Sequence, residues 1–65
     1  MCESTVYLLE GGKKVLVMEE AARVTVTDAG VTVVGLSGER KSLQDTELSD
    51  ADLMKHEIIL RTRKD

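Results

Sequence analysis

The apolar residues of this chain occur in short runs that are rich in β-branched side chains and are separated by turn residues. Eight Val, six Thr and two Ile make up 16 of the 65 residues. Side chains branched at Cβ are stiff at χ1 and fit a pleated sheet, so they favour strands. Turn residues recur about every eight to ten positions, which is typical of an all-β sandwich or barrel.

The pattern predicts six or seven short strands and no long helix. A corner is expected at Glu19–Ala22, and Gly11-Gly12 suits a tight hairpin turn. Because such short strands bury one face only by curling on themselves, we expect an all-β fold, a small SH3-like (or OB-like) β-barrel of antiparallel strands. The predicted strands are Ser4–Glu10, Lys13–Met18, Arg23–Asp28, Val31–Leu36, Glu39–Leu43, Leu48–Leu53 and Glu57–Arg61.

The length predicts a single domain over residues 1–65 with a small core. A chain of this size buries only about 60% of the surface that its unfolded form exposes. Domains of this size usually need disulfides, a bound metal or a partner chain. Cys2 is the only cysteine, so no disulfide can form within the chain. A bound metal and a second copy of the chain are the remaining supports.

Charge and composition disfavour several classes of partner. Nine basic and twelve acidic residues give a net charge of −3, and Tyr7 is the only aromatic residue. Nucleic-acid binding is therefore disfavoured, because it needs clustered cations and stacking platforms. No apolar run reaches the roughly 18 residues of a membrane span, and no secretory signal begins the chain. We expect a cytoplasmic protein without a membrane partner, since a free thiol persists in a reducing compartment.

The residues available for catalysis are few. A nucleophile pair of Cys2 and His56 would still need an orienting carboxylate, and nothing in their spacing supports the pair. Gly11-Gly12 lacks the Lys-Ser/Thr that follows the glycines of a phosphate-binding loop. The sequence therefore predicts a protein that is not an enzyme.

Cys2 is the residue with the strongest claim to a function. If Met1 is removed, the thiolate and free α-amine of Cys2 can chelate a metal, and the backbone nitrogen of Glu3 can close another ring. If Met1 is retained, its amine and the Cys2 amide nitrogen could flank the thiolate instead. Nitrogen and sulfur donors in a plane suit Ni(II) or Cu(II). One thiolate is not a site, so this hypothesis needs a twofold axis that brings together Cys2 from two copies.

Simpler interpretations stand beside this one. A lone cysteine commonly has no task, and His56 in a turn is by default a solvated histidine, with an auxiliary ligand as the alternative. Tyr7 is expected to cover the core or an interface. A small basic patch at the end of the chain is more often a solvated tail than a nucleic-acid site; it consists of Arg61, Arg63 and Lys64.

Three segments resemble the CooT family of small proteins that begin with Met-Cys and a hydrophobic strand. They are Met1–Leu8, Val17–Val24 and Asp52–Leu60. The resemblance extends over almost the whole chain. No single segment is highly specific; the combination of the segments with Cys at position two is more so.

The resemblance implies a nickel-binding accessory protein for the maturation of carbon monoxide dehydrogenase. It also implies an SH3-like barrel and a homodimer in which Cys2 holds Ni(II) between the subunits. It implies no role for His56 and does not settle the client enzyme, because members also occur where no carbon monoxide dehydrogenase is expected. Many members carry the label of predicted RNA-binding protein.

Two other classes of function stay open at this point. An RNA-binding small barrel is suggested by the architecture and by the terminal basic residues. A protein that docks on an enzyme by β-strand addition is also consistent with the sequence.

Overall fold

Six strands make up most of the backbone that the structure describes. The structure, a computed structural model, describes residues 3–63. No helix occurs within this range, so the expected all-β fold is confirmed. The strands are β1 (Ser4–Glu10), β2 (Lys13–Val26), β3 (Gly30–Gly35), β4 (Arg40–Gln44), β5 (Thr46–Asp52) and β6 (Glu57–Thr62).

The strands form one sheet in the order β4-β3-β2-β1-β6-β5. Four neighbouring pairs are antiparallel, as expected. The pair of β1 and β6 is parallel, which the expectation of antiparallel strands missed. The β5–β6 hairpin brings β6 back beside β1 in the same direction as β1. The first and last strands of the described chain are therefore hydrogen-bonded to each other within the sheet.

The sheet curls because its two edge strands are neighbours in sequence. Asp45 is the only residue between β4 and β5, although these strands lie at opposite edges of the sheet. Consecutive Cα atoms are about 3.8 Å apart, so the two edges must approach each other at this residue. Asp45 has a positive φ of 54°, and its N–H donates to the Ala29 carbonyl at 2.9 Å. The result is a curled half-barrel, in agreement with the predicted small barrel.

The predicted corner at Glu19–Ala22 is wrong, because β2 continues through it as a strand of 14 residues. The first part of β2 pairs with β1 and the last part pairs with β3. Both pairings contain register shifts: the β1–β2 pairing has two, between Ser4 and Val6 and between Val6 and Tyr7, and the β2–β3 pairing has one, between Ala21 and Arg23. Such bulges bend and twist a strand without ending it. The strand therefore bends where the sequence suggested a break.

The core lies on the inner side of the curl. Its buried side chains are Val6, Met18, Ala21, Val31, Val33 and Leu60. Successive residues of a strand point to opposite faces, so Val6 and Leu8 face this core while Thr5 and Tyr7 point outward. The outer face of β1 is thus a separate surface from the core.

Replacement of Leu60 by Ala tests the position of the core. Leu60 is 0% exposed, whereas Leu53 is 78% exposed. We expect Leu60→Ala to lower the free energy of unfolding by about 2–5 kcal/mol, because it removes buried methyl groups and leaves a cavity. The same change at Leu53 is expected to stay within about 0.5 kcal/mol. Urea unfolding of both variants at one protein concentration measures the difference, and equal losses would contradict the assignment of the core.

Candidate functional site

A groove of about 440 Å³ lies on the outer face of the sheet, at the end where β1 begins. Three parts of the chain form it: β1, the middle of β2 and the turn between β5 and β6. Its lining residues are Glu3, Thr5, Tyr7, Leu16, Glu19, Glu20, Lys55 and His56.

The floor of the groove is the outward row of β1. Tyr7 lies opposite Leu16 of β2 and opposite Ile59 of β6. Leu16 is 50% exposed, whereas Ile59 is buried, with 9% exposure, although it is not part of the core cluster. Lys14 crosses this row, since its Nζ lies 4.9 Å from the centre of the Tyr7 ring and 3.5 Å from the Glu57 carboxylate. An apolar stripe therefore runs across three strands on the outer face.

The two sides of the groove carry opposite charge. Glu19 and Glu20 of β2 form the acidic side, and both are exposed. The β5–β6 turn forms the other side, with the ammonium group of Lys55 and the imidazole of His56. Because β1 lies between β2 and β6 in the sheet, the floor separates the two sides.

The β5–β6 turn is fixed by hydrogen bonds at both of its ends. The Asp52 carboxylate accepts the backbone N–H groups of Met54 at 3.1 Å and Lys55 at 3.0 Å. The His56 carbonyl accepts the Thr5 N–H at 2.9 Å, and His56 itself has a positive φ of 56°. The turn is thereby tied to the first strand, and the basic side of the groove keeps a fixed position beside β1.

Of the two residues predicted to bind metal, the structure describes one. Glu3 is half-buried at the end of the groove, and its Oε1 is buried without a hydrogen-bond partner among residues 3–63. Cys2 lies outside the described residues. Within residues 3–63, no three His, Cys, Asp or Glu side chains are close enough together to hold a metal ion.

The terminal arginines are engaged within the fold. Arg61 Nε donates to Glu47 Oε2 at 2.6 Å. The Arg63 guanidinium donates to three backbone carbonyls, those of Thr27 (3.3 Å), Asp28 (2.7 Å) and Thr46 (3.2 Å). Arg63 thus joins the end of the chain to the β2–β3 turn and to β5. Arg61 and Arg63 of the predicted basic patch therefore have structural contacts within the fold. The third member of the patch, Lys64, lies outside the described residues.

The sequence does not predict the groove. Its pattern places Glu19 and Glu20 in a corner and gives Lys55 no role. The alternation of Thr5, Val6, Tyr7 and Leu8 was the available signal, because it predicts an outward row with the only aromatic residue. No helix among the described residues has the length and apolar character needed to cross a membrane.

These features define a class of small all-β protein, with a curled six-stranded sheet and a charged groove beside its first strand. The model of the family described as "CO dehydrogenase accessory protein CooT" matches residues 1–61. This chain belongs to the CooT family. A crystal structure of a protein described as a CooT from Carboxydothermus hydrogenoformans is similar, with a TM-score of 0.82 and 26% sequence identity. The match covers 98% of this chain and 100% of that one. No curated protein is a significant match.

Replacement of Arg63 by Lys tests whether this residue is structural. Lys keeps the charge but lacks the planar fork that reaches several acceptors at once. We expect Arg63→Lys to lower the free energy of unfolding by about 1 kcal/mol, because one part-buried carbonyl and two exposed carbonyls lose donors. The matched change Arg40→Lys, at an exposed position of β4, is expected to stay within about 0.5 kcal/mol. Equal stabilities of the two variants in urea would show that Arg63 does not tie the chain end to the sheet.

Proposed function

We propose that this protein is a nickel-binding accessory protein that binds Ni(II) through Cys2 at the interface of a homodimer. Its proposed client is carbon monoxide dehydrogenase, and nickel is its cargo. Membership of a family of CO dehydrogenase accessory proteins supports the accessory role. The proposal assigns the protein to metal handling in a cytoplasmic setting and gives it no catalytic step.

The observation that carries the proposal is the position of Cys2 in this chain. Cys2 is the only cysteine, and it immediately precedes Glu3, which lines the groove. The strand that follows is anchored in the core by Val6, which is 0% exposed. The start of β1 is therefore a fixed base for the residues next to it. Only a short length of chain separates the Cys2 thiolate from this anchored strand.

The donor set suits nickel better than it suits most other metals. The Cys2 thiolate is a soft ligand, and the neighbouring backbone nitrogens, including that of Glu3, can bind when a strong metal displaces their protons. Planar sets of sulfur and nitrogen fit Ni(II) and Cu(II), whereas Zn(II) prefers a tetrahedral site. Two copies of Cys2 would double this set. Since a thiol must lose its proton to bind, we expect the affinity for Ni(II) to rise with pH.

Titration of Ni(II) into the reduced protein tests the role of Cys2. We expect absorption from thiolate-to-nickel charge transfer in the wild-type protein and its complete loss in Cys2→Ser. Glu3→Gln is the matched control, because it changes the carboxylate but keeps the backbone nitrogen, and it is expected to bind as the wild type does. Unchanged nickel binding by Cys2→Ser would reject the proposal.

The ratio of metal to protein tests the shared site. Sedimentation of the reduced, metal-free protein is expected to show a dimer. Metal analysis after gel filtration is expected to give one nickel for every two chains, because each copy supplies one thiolate to a single site. A monomer that binds one nickel per chain would contradict the shared site and leave a chelate within one chain.

A further inference from the structure

We propose that the free edge of β4 binds an extended acidic segment of another protein, which adds to the sheet as a further strand antiparallel to β4. The inference goes beyond the proposed nickel site and does not depend on it. β4 and β5 are the two edge strands of the sheet, so each has one side without a neighbouring strand among residues 3–63. The two edges differ in regularity and in charge.

β4 is the edge strand with a regular ladder. Its pairing with β3 contains no register shift. The pairing of β5 with β6 is interrupted by a shift between Leu48 and Asp50. A bulge of this kind twists the strand and disrupts further pairing, which is one way in which proteins protect an edge. β4 lacks this protection and is therefore the edge that can accept another strand.

The hydrogen bonds at the two ends of the β3–β4 ladder show which backbone groups of β4 face its free side. The Gly35 N–H donates to the Glu39 carbonyl at 2.8 Å, and the Asp45 N–H donates to the Ala29 carbonyl at 2.9 Å. Both bonds continue the register of β3 with β4. Bonded and non-bonded pairs alternate along an antiparallel ladder. The odd-numbered residues of β4 therefore bond to β3, and the even-numbered residues direct their N–H and C=O groups away from it.

The even-numbered residues of β4 are Arg40, Ser42 and Gln44, and all three are exposed. The Gln44 carbonyl accepts the Thr46 hydroxyl at 2.9 Å, so this acceptor is already used. The N–H and C=O groups of Arg40 and Ser42 point to the side that has no strand among residues 3–63. Each of these two residues can exchange two hydrogen bonds with the residue opposite it on an added strand, as strand addition requires.

The charge of β4 selects an acidic partner. Arg40 and Lys41 are exposed, and neither forms an ion pair within residues 3–63. The Glu39 carboxylate lies against Gly35 in the hairpin turn. Lys41 Nζ donates to the Val17 carbonyl at 2.8 Å, which leaves its other ammonium donors available. Like charges across a strand pair are destabilising and opposite charges are stabilising, so this edge disfavours β4 of a second copy and favours an acidic strand.

The two faces of β4 predict the residue order of the added segment. Cross-strand neighbours share a face of the sheet, and Lys41 lies opposite the buried Val33. Lys41 and Leu43 therefore lie on the core side, where Leu43 packs against the core, and Arg40 and Ser42 lie on the outer face. An antiparallel segment then has an apolar residue opposite Leu43, followed by a β-branched residue opposite Ser42. Carboxylates follow opposite Lys41 and Arg40, which gives the order Val-Thr-Glu-Glu.

A capped peptide with Val-Thr-Glu-Glu at its centre tests the proposal on isotope-labelled, reduced and metal-free protein. We expect the amide signals of Arg40 and Ser42 to shift most in the NMR spectrum and their exchange with solvent to slow, because both N–H groups become bonded. The control peptide carries N-methyl groups on its Thr and its second Glu, the residues opposite Ser42 and Arg40. It keeps the charge but loses both ladder donors, so its affinity is expected to be at least about tenfold lower.

Two substitutions in β4 separate the backbone contribution from the charge. Ser42→Pro removes an N–H that points away from β3, a place where edge strands tolerate Pro, and is expected to lower the affinity for the peptide at least about fivefold. Ser42→Ala is the matched control, because it keeps the N–H, and is expected to stay within about twofold of the wild type.

Arg40→Glu is expected to lower the affinity at least about tenfold, since a carboxylate of the protein then faces a carboxylate of the peptide. A peptide with Lys in place of its second Glu is expected to restore the affinity of this variant. Such a gain cannot come from a variant that is unfolded.

Three results would each overturn the proposal: no binding of the peptide by the wild type, equal affinity for the N-methylated peptide, or largest shifts on another strand. Self-association that Ser42→Pro abolishes, without peptide binding, would assign the edge to a second copy and would also overturn it. Cys2→Ser is expected to bind the peptide as the wild type does. Nickel binding that persists in Cys2→Ser would thus reject the nickel site alone, and failure of the peptide to bind would reject the β4 edge alone.

Discussion

The junction between β4 and β5 is the constraint on which the rest of the structure depends. Because a single residue, Asp45, joins the two edge strands, the sheet cannot remain flat. The curl encloses Val6, Val33 and Leu60 on its inner side and turns the alternate residues of β1 outward. Arg63 reinforces the junction by donating to the carbonyls of Thr46 and of the β2–β3 turn. The single-residue connection between β4 and β5 thus separates the core from the outer face of the sheet.

The parallel pairing of β1 with β6 places the groove. It brings the β5–β6 turn beside the start of β1, where the His56 carbonyl accepts the Thr5 N–H. Continuation of β2 through Glu19 and Glu20 sets carboxylates on the opposite side. The groove therefore combines segments that are far apart in the chain. The groove includes Glu3, which immediately follows Cys2, the residue on which the proposed nickel chemistry depends.

A second copy of the chain would serve both the small core and the proposed metal site. Sixty-five residues leave apolar side chains such as Leu16 on the surface, and a second copy can cover them. A single cysteine gives one thiolate, and a second copy supplies another. In the proposed homodimer the second copy answers both needs. Stability and nickel binding would then both depend on the concentration of the protein.

The sequence by itself determined the all-β class and the approximate limits of most strands, because β-branched runs and turn residues act over a few neighbours. It also points to Cys2, the only cysteine, as the proposed metal ligand, since donor chemistry belongs to the residue. Tertiary structure alone decided that Glu19–Ala22 continues a strand, that β6 lies parallel to β1, and that Arg63 ties the chain end to the sheet. These outcomes depend on hydrogen-bond partners distant in the chain, and local propensity carries no information about which distant strand supplies them.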